Sequence, residues 1–370
     1  MNNNKKEGVD GSRRALVLLG LGVGLQVLLA PTLASTTVAV VSAAMPGPLS
    51  EPATMTPRAA HAMLTRVVQA GDRLVAMGER GLVVLSDDGG RQWRQARVPV
   101  SVTLTSASFA NAREGWIAGH SGVVLHTSDG GENWAVQTDG ATLAKATLAQ
   151  ALGLPDDAAD RERRIQDARR LVDDGPDKPL LSICFADAQH GMVVGAFGLA
   201  AVTEDGGKTW TPCRDRLPNP MGLHLYAIAQ HDKTWVVAGE QGVLMRSRDD
   251  MASFEALTPA SERTLFAATA TQSGGFVLAG LLGAACRIEP GADAVTAIEL
   301  PAPLTILSCV ELRDGRVMLL AQGGQLFASR DGGAHFAEQP LPRRVPLTSL
   351  IDAADGGLVA TSLGGVARLG

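Results

Sequence analysis

A glycine turn followed by a short apolar run returns along this chain at a nearly fixed interval. The last glycine of each turn serves as a marker, at Gly81, Gly122, Gly198, Gly242, Gly283, Gly324 and Gly365, the first five of them closing a Gly-x-x-Gly. Four of the six steps are 41 residues, one is 44, and one is 76, a 41-residue step carrying a 35-residue insertion. A period near 40 with four short strands per unit is the sequence mark of a β-propeller. Seven markers predict seven blades. The fold class is therefore all-β, a seven-bladed β-propeller with a small helical hairpin inserted. A content of 42 glycines and only 4% aromatic residues suits many tight turns between short strands.

Around each marker the strands can be placed from apolar runs bounded by Gly, Asp or Pro. The first blade reads as 63–69, 73–77, 82–86 and 92–97, the second as 104–109, 115–118, 123–127 and 133–137. The third reads as 181–186, 192–194, 199–203 and 209–213, and later blades begin near Leu225, Leu265, Ile306 and Thr348. After Gly365 only five residues remain, enough for a third strand alone. An open sheet edge exposes unpaired backbone groups, so residues 49–56 are expected to supply the outer strand of the last blade. The prolines there suit an edge.

The insertion, 141–178, changes period. Leu143, Leu148 and Leu152, then Ile165, Ala168, Leu171 and Val172, fall at helical spacing. Pro155-Asp156-Asp157 is expected to separate two helices and cap the second. The charged run Arg161 to Arg170 reads as a solvated helix face.

Ahead of the propeller, residues 1–44 read as an export signal, with the mature chain at 45–370. Arg13-Arg14 precede an apolar run from Ala15 to Ala30, and small residues near Ala43 and Ala44 offer cleavage positions. Ser12-Arg13-Arg14-Ala15-Leu16 also resembles a twin-arginine signal. The alternative is an uncleaved anchor, although sixteen apolar residues fall short of the ~20 that a span needs. An exported, periplasmic or lumenal protein is expected.

Net charge is −5, from 33 basic and 38 acidic residues. A nucleic-acid partner would call for a concentrated basic face, which is not seen. The four cysteines lack any Cys-x-x-Cys spacing, so neither zinc nor thioredoxin chemistry is expected. Cys184 and Cys213 fall on the inner and outer strands of one blade, too far apart to bond. Cys286 and Cys309 are the one pair that geometry permits, with buried free thiols as the default. The seven histidines are scattered singly, and no metal or cofactor is expected.

The strongest motif is Ser86-Asp87-Asp88-Gly89-Gly90-Arg91-Gln92-Trp93. It recurs as 127–134 and 203–210, and in weaker form as 247–254, where Asp250-Met251 replaces Gly-Gly, and as 329–336. In the intervening blade Ile288-Glu289-Pro290-Gly291 stands in its place. These Asp-boxes read as structural. Asp88, Asp129, Asp205, Asp249 and Asp331 can accept hydrogen bonds from turn N–H groups. Glycines supply positive φ, and Trp93, Trp134, Trp210, Phe254 and Phe336 plug the blades. An Asp repeated on five separate blades cannot in each case be catalytic.

The pattern from Gly115-Trp116 through Trp134 resembles the repeat of the photosystem II stability/assembly factor family, exported BNR-type seven-bladed propellers. The resemblance extends over about 62–370, excluding the insertion. It implies a non-enzymatic chaperone or scaffold that grips a membrane-protein partner from the lumenal or periplasmic side. Bacterial relatives outside photosynthesis often accompany export transporters, so a transporter component is the other partner implied. The rival class is a sialidase-like or other glycoside hydrolase, since sialidases share the Asp-box and the ring. A paired-carboxylate glycosidase is left open by the 38 acidic residues. Sialidase chemistry needs a Tyr nucleophile backed by a Glu, an acid Asp and three arginines. The single tyrosine, Tyr226, has no acid beside it in sequence, and a core role is the simpler reading.

Binding rather than catalysis places the interest on one end of the ring. Turns between second and third strands emerge on the same side as the connections between blades, opposite the Asp-boxes. The candidate interaction face is thus Glu79, Arg80, His120, Phe197, Glu240, Gln241, Leu281 and Leu282, together with the hairpin. Phe197 and the Leu281-Leu282 pair stand out as apolar tips. The competing reading folds the hairpin over Phe197 and makes it core.

Overall fold

Each repeat becomes an antiparallel meander because its apolar runs are joined by turns too short for any other connection. The computed structural model describes residues 47–341 and 345–369. The export segment and its cleavage positions lie outside the described residues. The first blade comprises Leu64–Ala70, Arg73–Gly78, Val83–Ser86 and Arg94–Gln95, paired in that order. The pattern repeats in six further sheets, whose inner strands are Leu104–Phe109, Leu180–Phe185, Leu225–His231, Leu265–Ala270, Ile306–Glu311 and Leu347–Asp352. Every inner strand carries the same register irregularity after its first residue, Leu64/Arg66 in the first blade and Leu347/Ser349 in the last.

The apolar side chains of facing sheets interlock between blades. Val75, Met77, Val83 and Leu85 of the first blade pack with Leu104, Ile117 and Leu125 of the second. Between the last blade and the first, Leu350 lies in one cluster while Val359 and Ala353 join Leu64, Val67 and Leu74 in another. The ring is seven blades with a core at each interface.

Outer strands are shorter than the sequence suggests, Arg94–Gln95 rather than 92–97. The Asp-box accounts for this. Asp88 Oδ1 accepts from the Arg91 and Gln92 N–H groups and from Ser86 Oγ, while Gly90 N–H donates back to Ser86 Oγ at 2.8 Å. The turn thereby holds on to Trp93, whose Nε1 donates to Gly90 O at 3.1 Å, and releases the chain only at Arg94. The other four boxes repeat the Ser/Thr–Asp bond at 2.7–2.9 Å. In the fourth blade Asp250 and Met251 take φ of 55° and 70° where the other boxes use glycine. Burial of Met251 and the bond from Trp235 Nε1 to Asp250 Oδ1 offset that strain.

The expected strand exchange does not occur. Among the described residues the last sheet has three strands, Leu347–Asp352, Leu358–Ser362 and Gly365–Leu369. Residues 48–56 run along the first blade instead. Ala53 N–H donates to Val98 O at 3.0 Å, and the Gln95 amide both accepts from Thr56 N–H and donates to Thr54 O. The reason is apolar: Ala53 and Leu49 pack against Ala96, Val98 and Val100.

The seam is closed by side chains. Ser349 Oγ accepts from Val67 N–H at 3.4 Å, and Gln69 Nε2 donates to Asp352 O at 2.6 Å. Arg368 donates to Gly89 O, and Arg91 pairs with Asp355 at 2.7 Å.

All four cysteines are free thiols. Cys286 and Cys309 are both buried without a bond between them, the latter donating weakly to Val277 O. Burial pushes the Cys286 thiol up to about 12 and the Cys309 thiol higher still.

The insertion is a pair of helices, α1 (Gly140–Leu152) and α2 (Arg161–Asp174). Asp139 caps α1, its carboxylate accepting from Thr142 N–H at 2.7 Å. The start of α2 is Asp160, at φ 59°, not the Pro155-Asp156-Asp157 break, which is spent on a turn. Leu148, Ala151, Ile165 and Ala168 form a small core between the helices. Leu143 and Ala144 dock the pair onto the ring, the former among Trp116, Leu180 and Phe185.

Candidate functional site

In the first five blades the Gly-x-x-Gly turns are two-residue hairpins with positive φ at both central positions, while in the last two only Gly324 and Gly365 take positive φ. In the first, Arg80 and Gly81 have φ of 53° and 71°, closed by Leu82 N–H donating to Glu79 O at 3.0 Å. This is type I′ geometry, whose twist matches the flanking strands. The outer glycines answer to space as well. A Cβ on Gly78 would stand 2.1 Å from Met63 O, and one on Gly81 2.0 Å from Val100 O. The turn tip is pressed between the start of its own inner strand and the connection to the next blade, and so it shares a face with those connections.

On that face Arg80, His120, Gln241, Phe197 and Leu282 are exposed, while Glu79, Glu240 and Leu281 are half-buried. Phe197 is 55% and Leu282 54% exposed, both at φ near 50–57°. The hairpin does not bury Phe197; Lys178 Nζ lies 5.9 Å from its ring centroid. Burial works to lower the Lys178 pKa, and the Asp177 and Asp174 carboxylates outweigh it.

The structure brings Phe197 and Glu240 together through a residue that sequence reading left aside. Phe197 N–H donates to His224 Nδ1 at 2.9 Å, and His224 N–H donates to Glu240 Oε2 at 3.1 Å. The imidazole also packs edge-on against Phe197 at 4.9 Å, and the aromatic line continues through Tyr226 to Phe266. Glu79, Arg80 and His120 stand on the first two blades, apart from this line.

Beside it lies a cleft of about 720 Å³ between the helical hairpin and the third blade. Its walls are α2 on one side and the connection 213–222 on the other. Arg164 of α2 reaches Asp215 across it at 3.1 Å. Arg163 pairs with Asp160 and Asp167. Arg170 and Arg214 also line the cleft and have no acidic partner among the described residues. Met221, 76% exposed, stands with Phe197 at the rim. The charged run 161–170 is therefore one wall of a cleft as well as a solvated face. Met221 carried a weak signal, an apolar residue within Asn219-Pro220-Met221-Gly222; the cleft itself depends on how the hairpin docks.

Tyr226 sits in the inner strand with its ring 5.2 Å from Phe266. Burial raises its phenol pKa and Glu240 raises it further, the opposite direction from a nucleophile poised to ionise.

Seven blades, Asp-box turns at one end, and a turn face with a roofed cleft at the other define a BNR-type β-propeller. The chain belongs to the family described as photosynthesis system II assembly factor YCF48, whose model matches residues 67–154 and 165–263. The match omits the loop between α1 and α2 and the first turn of α2, and ends before the fifth blade. Photosystem II assembly lipoprotein Ycf48 of Synechococcus sp. (strain CC9902) is 36% identical over 62 residues, which is 16% of this chain and 18% of that protein. The aligned part thus spans less than a fifth of that relative. Among solved structures, YCF48 bound to D1 peptide superposes with a TM-score of 0.58 at 15% identity, covering 86% of this chain and 96% of the other. YCF48 from Cyanidioschyzon merolae gives 0.58 at 16%, covering 86% and 98%. The WD40 propeller domain of Doa1 gives 0.58 at 12%, covering 87% and 95%. At these identities the superpositions speak for the ring alone.

Proposed function

We propose that this protein is an exported, non-enzymatic scaffold that holds an exposed polypeptide segment of a membrane-protein complex during assembly. The segment lies in the cleft between the hairpin and the third blade and extends over Phe197 toward Leu282. One observation carries the reading: the cleft joins two unpaired guanidinium groups, Arg170 and Arg214, to exposed apolar side chains, Phe197 and Met221. Exposed apolar patches of this kind mark interaction sites, and the arginines add carboxylate recognition. Family membership supports the assembly role, and the word lipoprotein in the cyanobacterial relative's name agrees with export or membrane attachment. Among the described residues no helix is long and apolar enough to cross a membrane. A photosystem subunit is the partner that the family and the D1-peptide complex of a similar propeller favour; a transporter component has no such support.

The test is capture of detergent-solubilised photosystem II assembly complexes by tagged protein, with F197D/L282D and R170E/R214E as variants. Each variant should keep the wild-type melting temperature and lose most of the capture. Full capture by both variants would move recognition to the Asp-box face or the rim.

A further inference from the structure

The inner strands turn one edge toward the axis of the ring, and the N–H groups on that edge need acceptors. Serine hydroxyls of the preceding blade supply them. Ile183 N–H donates to Ser106 Oγ at 3.3 Å, Ile228 N–H to Ser182 Oγ at 3.2 Å, and Val67 N–H to Ser349 Oγ at 3.4 Å. In each case the hydroxyl belongs to the residue just after the register irregularity. That position holds Ser106, Ser182, Ala227, Ala267, Ser308 and Ser349 in six blades. In the first blade it holds Arg66.

The register gives Ala107 the place of Ile183 and Ile228. The residue at the serine position facing it is Arg66, whose side chain has only donors to offer. Arg66 is itself half-buried and has no hydrogen bond or ion pair among the described residues. It stands on the axial edge of its inner strand, at the level that serine or alanine holds in the other six blades. The inner-strand carboxylates stand three residues further on and are engaged elsewhere. Glu311 accepts from Gln272 N–H at 2.8 Å, and Asp352 from Gln69 Nε2 and Arg313 N–H. The half-buried guanidinium is therefore left without a carboxylate at its own level among the described residues.

We infer that the axial space beside Arg66 is a binding site for a small oxyanion, a carboxylate or phosphate group. Two of its oxygens lie against the guanidinium fork, and the Ala107 N–H is a third donor. The fork matches both oxyanions in plane, and the residues at the same level in the other blades, serine and alanine, are small. This site is independent of the cleft.

Thermal denaturation of the whole chain in series of sodium acetate and of sodium phosphate tests it, with ionic strength held level by sodium chloride. The wild-type midpoint should rise and saturate with at least one salt, and the one saturating at lower concentration identifies the oxyanion. R66S, which installs the hydroxyl used by other blades, should show no saturable rise. R66K keeps the charge but loses the fork, and its apparent affinity should fall by about tenfold, the loss of one charge-assisted hydrogen bond. A flat wild-type response overturns the site whatever the variants do. An R66S response equal to wild type overturns the role of Arg66, and wild-type affinity in R66K overturns the forked geometry.

Discussion

Thr348 Oγ1 donates a 2.7 Å hydrogen bond to the carbonyl of Leu64, joining the last blade to the first. The same bond, at the same length, runs from Thr65 to Leu104 O and from Thr105 to Leu180 O. The seam is therefore built from the contact that joins successive blades elsewhere, and the ring closes without a shared strand among the described residues.

Thr348→Val should lower stability by about 1–2 kcal/mol, since it leaves a carbonyl at the ring axis without its donor. Thr105→Val should cost a similar amount. Urea denaturation of the two variants decides the matter. A clear loss for T105V with none for T348V would mean that the seam is held by something other than this latch.

The end of segment 48–56 is held by the side chain of Gln95, which bonds Thr56 N–H at 2.8 Å and Thr54 O at 3.0 Å. Gln95→Ala should free this segment while the ring stays folded. Trypsin should then cut at the exposed Arg58 several times faster, with little change in melting temperature. An unchanged cleavage rate would show that the Ala53 N–H bond to Val98 O and the packing of Ala53 and Leu49 suffice.

The Asp-box carboxylates make stability depend on acid pH. The Ser253 hydroxyl and N–H and the Ser247 hydroxyl hold Asp249 at about 2 in the folded protein, below the ordinary 3.8. Asp88 is lowered too, chiefly by the Gln92 N–H. A folded pKa below the unfolded one means that the contribution is complete above the unfolded value. It is lost as pH falls from there through about 2. Urea midpoints measured from pH 5 to pH 2 should therefore decline, and less steeply in Asp249→Asn. Identical slopes in the two proteins would refute the assignment.

Cys213 and Cys286 are buried, and burial pushes their thiols up to about 12; Cys184, half-buried, is raised to the same value. At pH 8 almost none is thiolate, the reactive form. A disulfide reagent should titrate no thiol in native protein at pH 8 within minutes and all four in denaturant. Rapid native reaction of one thiol would point to Cys184, the least enclosed.

The blade count, the boxes and the paired helices were legible because each follows from spacing or from a turn that only certain residues can make. Gly81 must be glycine both for its φ of 71° and for Val100 O beside it. Strand exchange was misread because the residues that decide it, Gln95 and Val98, lie forty positions from the segment they bind. Local pattern cannot choose between two open edges. Phe197 could be singled out as an apolar tip, but Met221, Arg170 and Arg214 join it only through the docking of the hairpin. Arg66 was hidden in a run, Leu64-Thr65-Arg66-Val67, that reads as ordinary strand. Setting the seven inner strands in register would have shown an arginine among serines and alanines.

The hairpin leaves the ring at Gly140, where a Cβ on Gly122 would stand 2.5 Å from the Gly140 Cα. It returns at Leu180, whose carbonyl is gripped by Thr105. Both attachments reach the second blade, although the return strand belongs to the third. Force applied by a partner to the helices consequently enters the second blade through its outermost strand, Ala135–Thr138, and the third through its innermost, Leu180–Phe185. A tug on the hairpin loads the rim of one sheet and the axial edge of the next at the same moment.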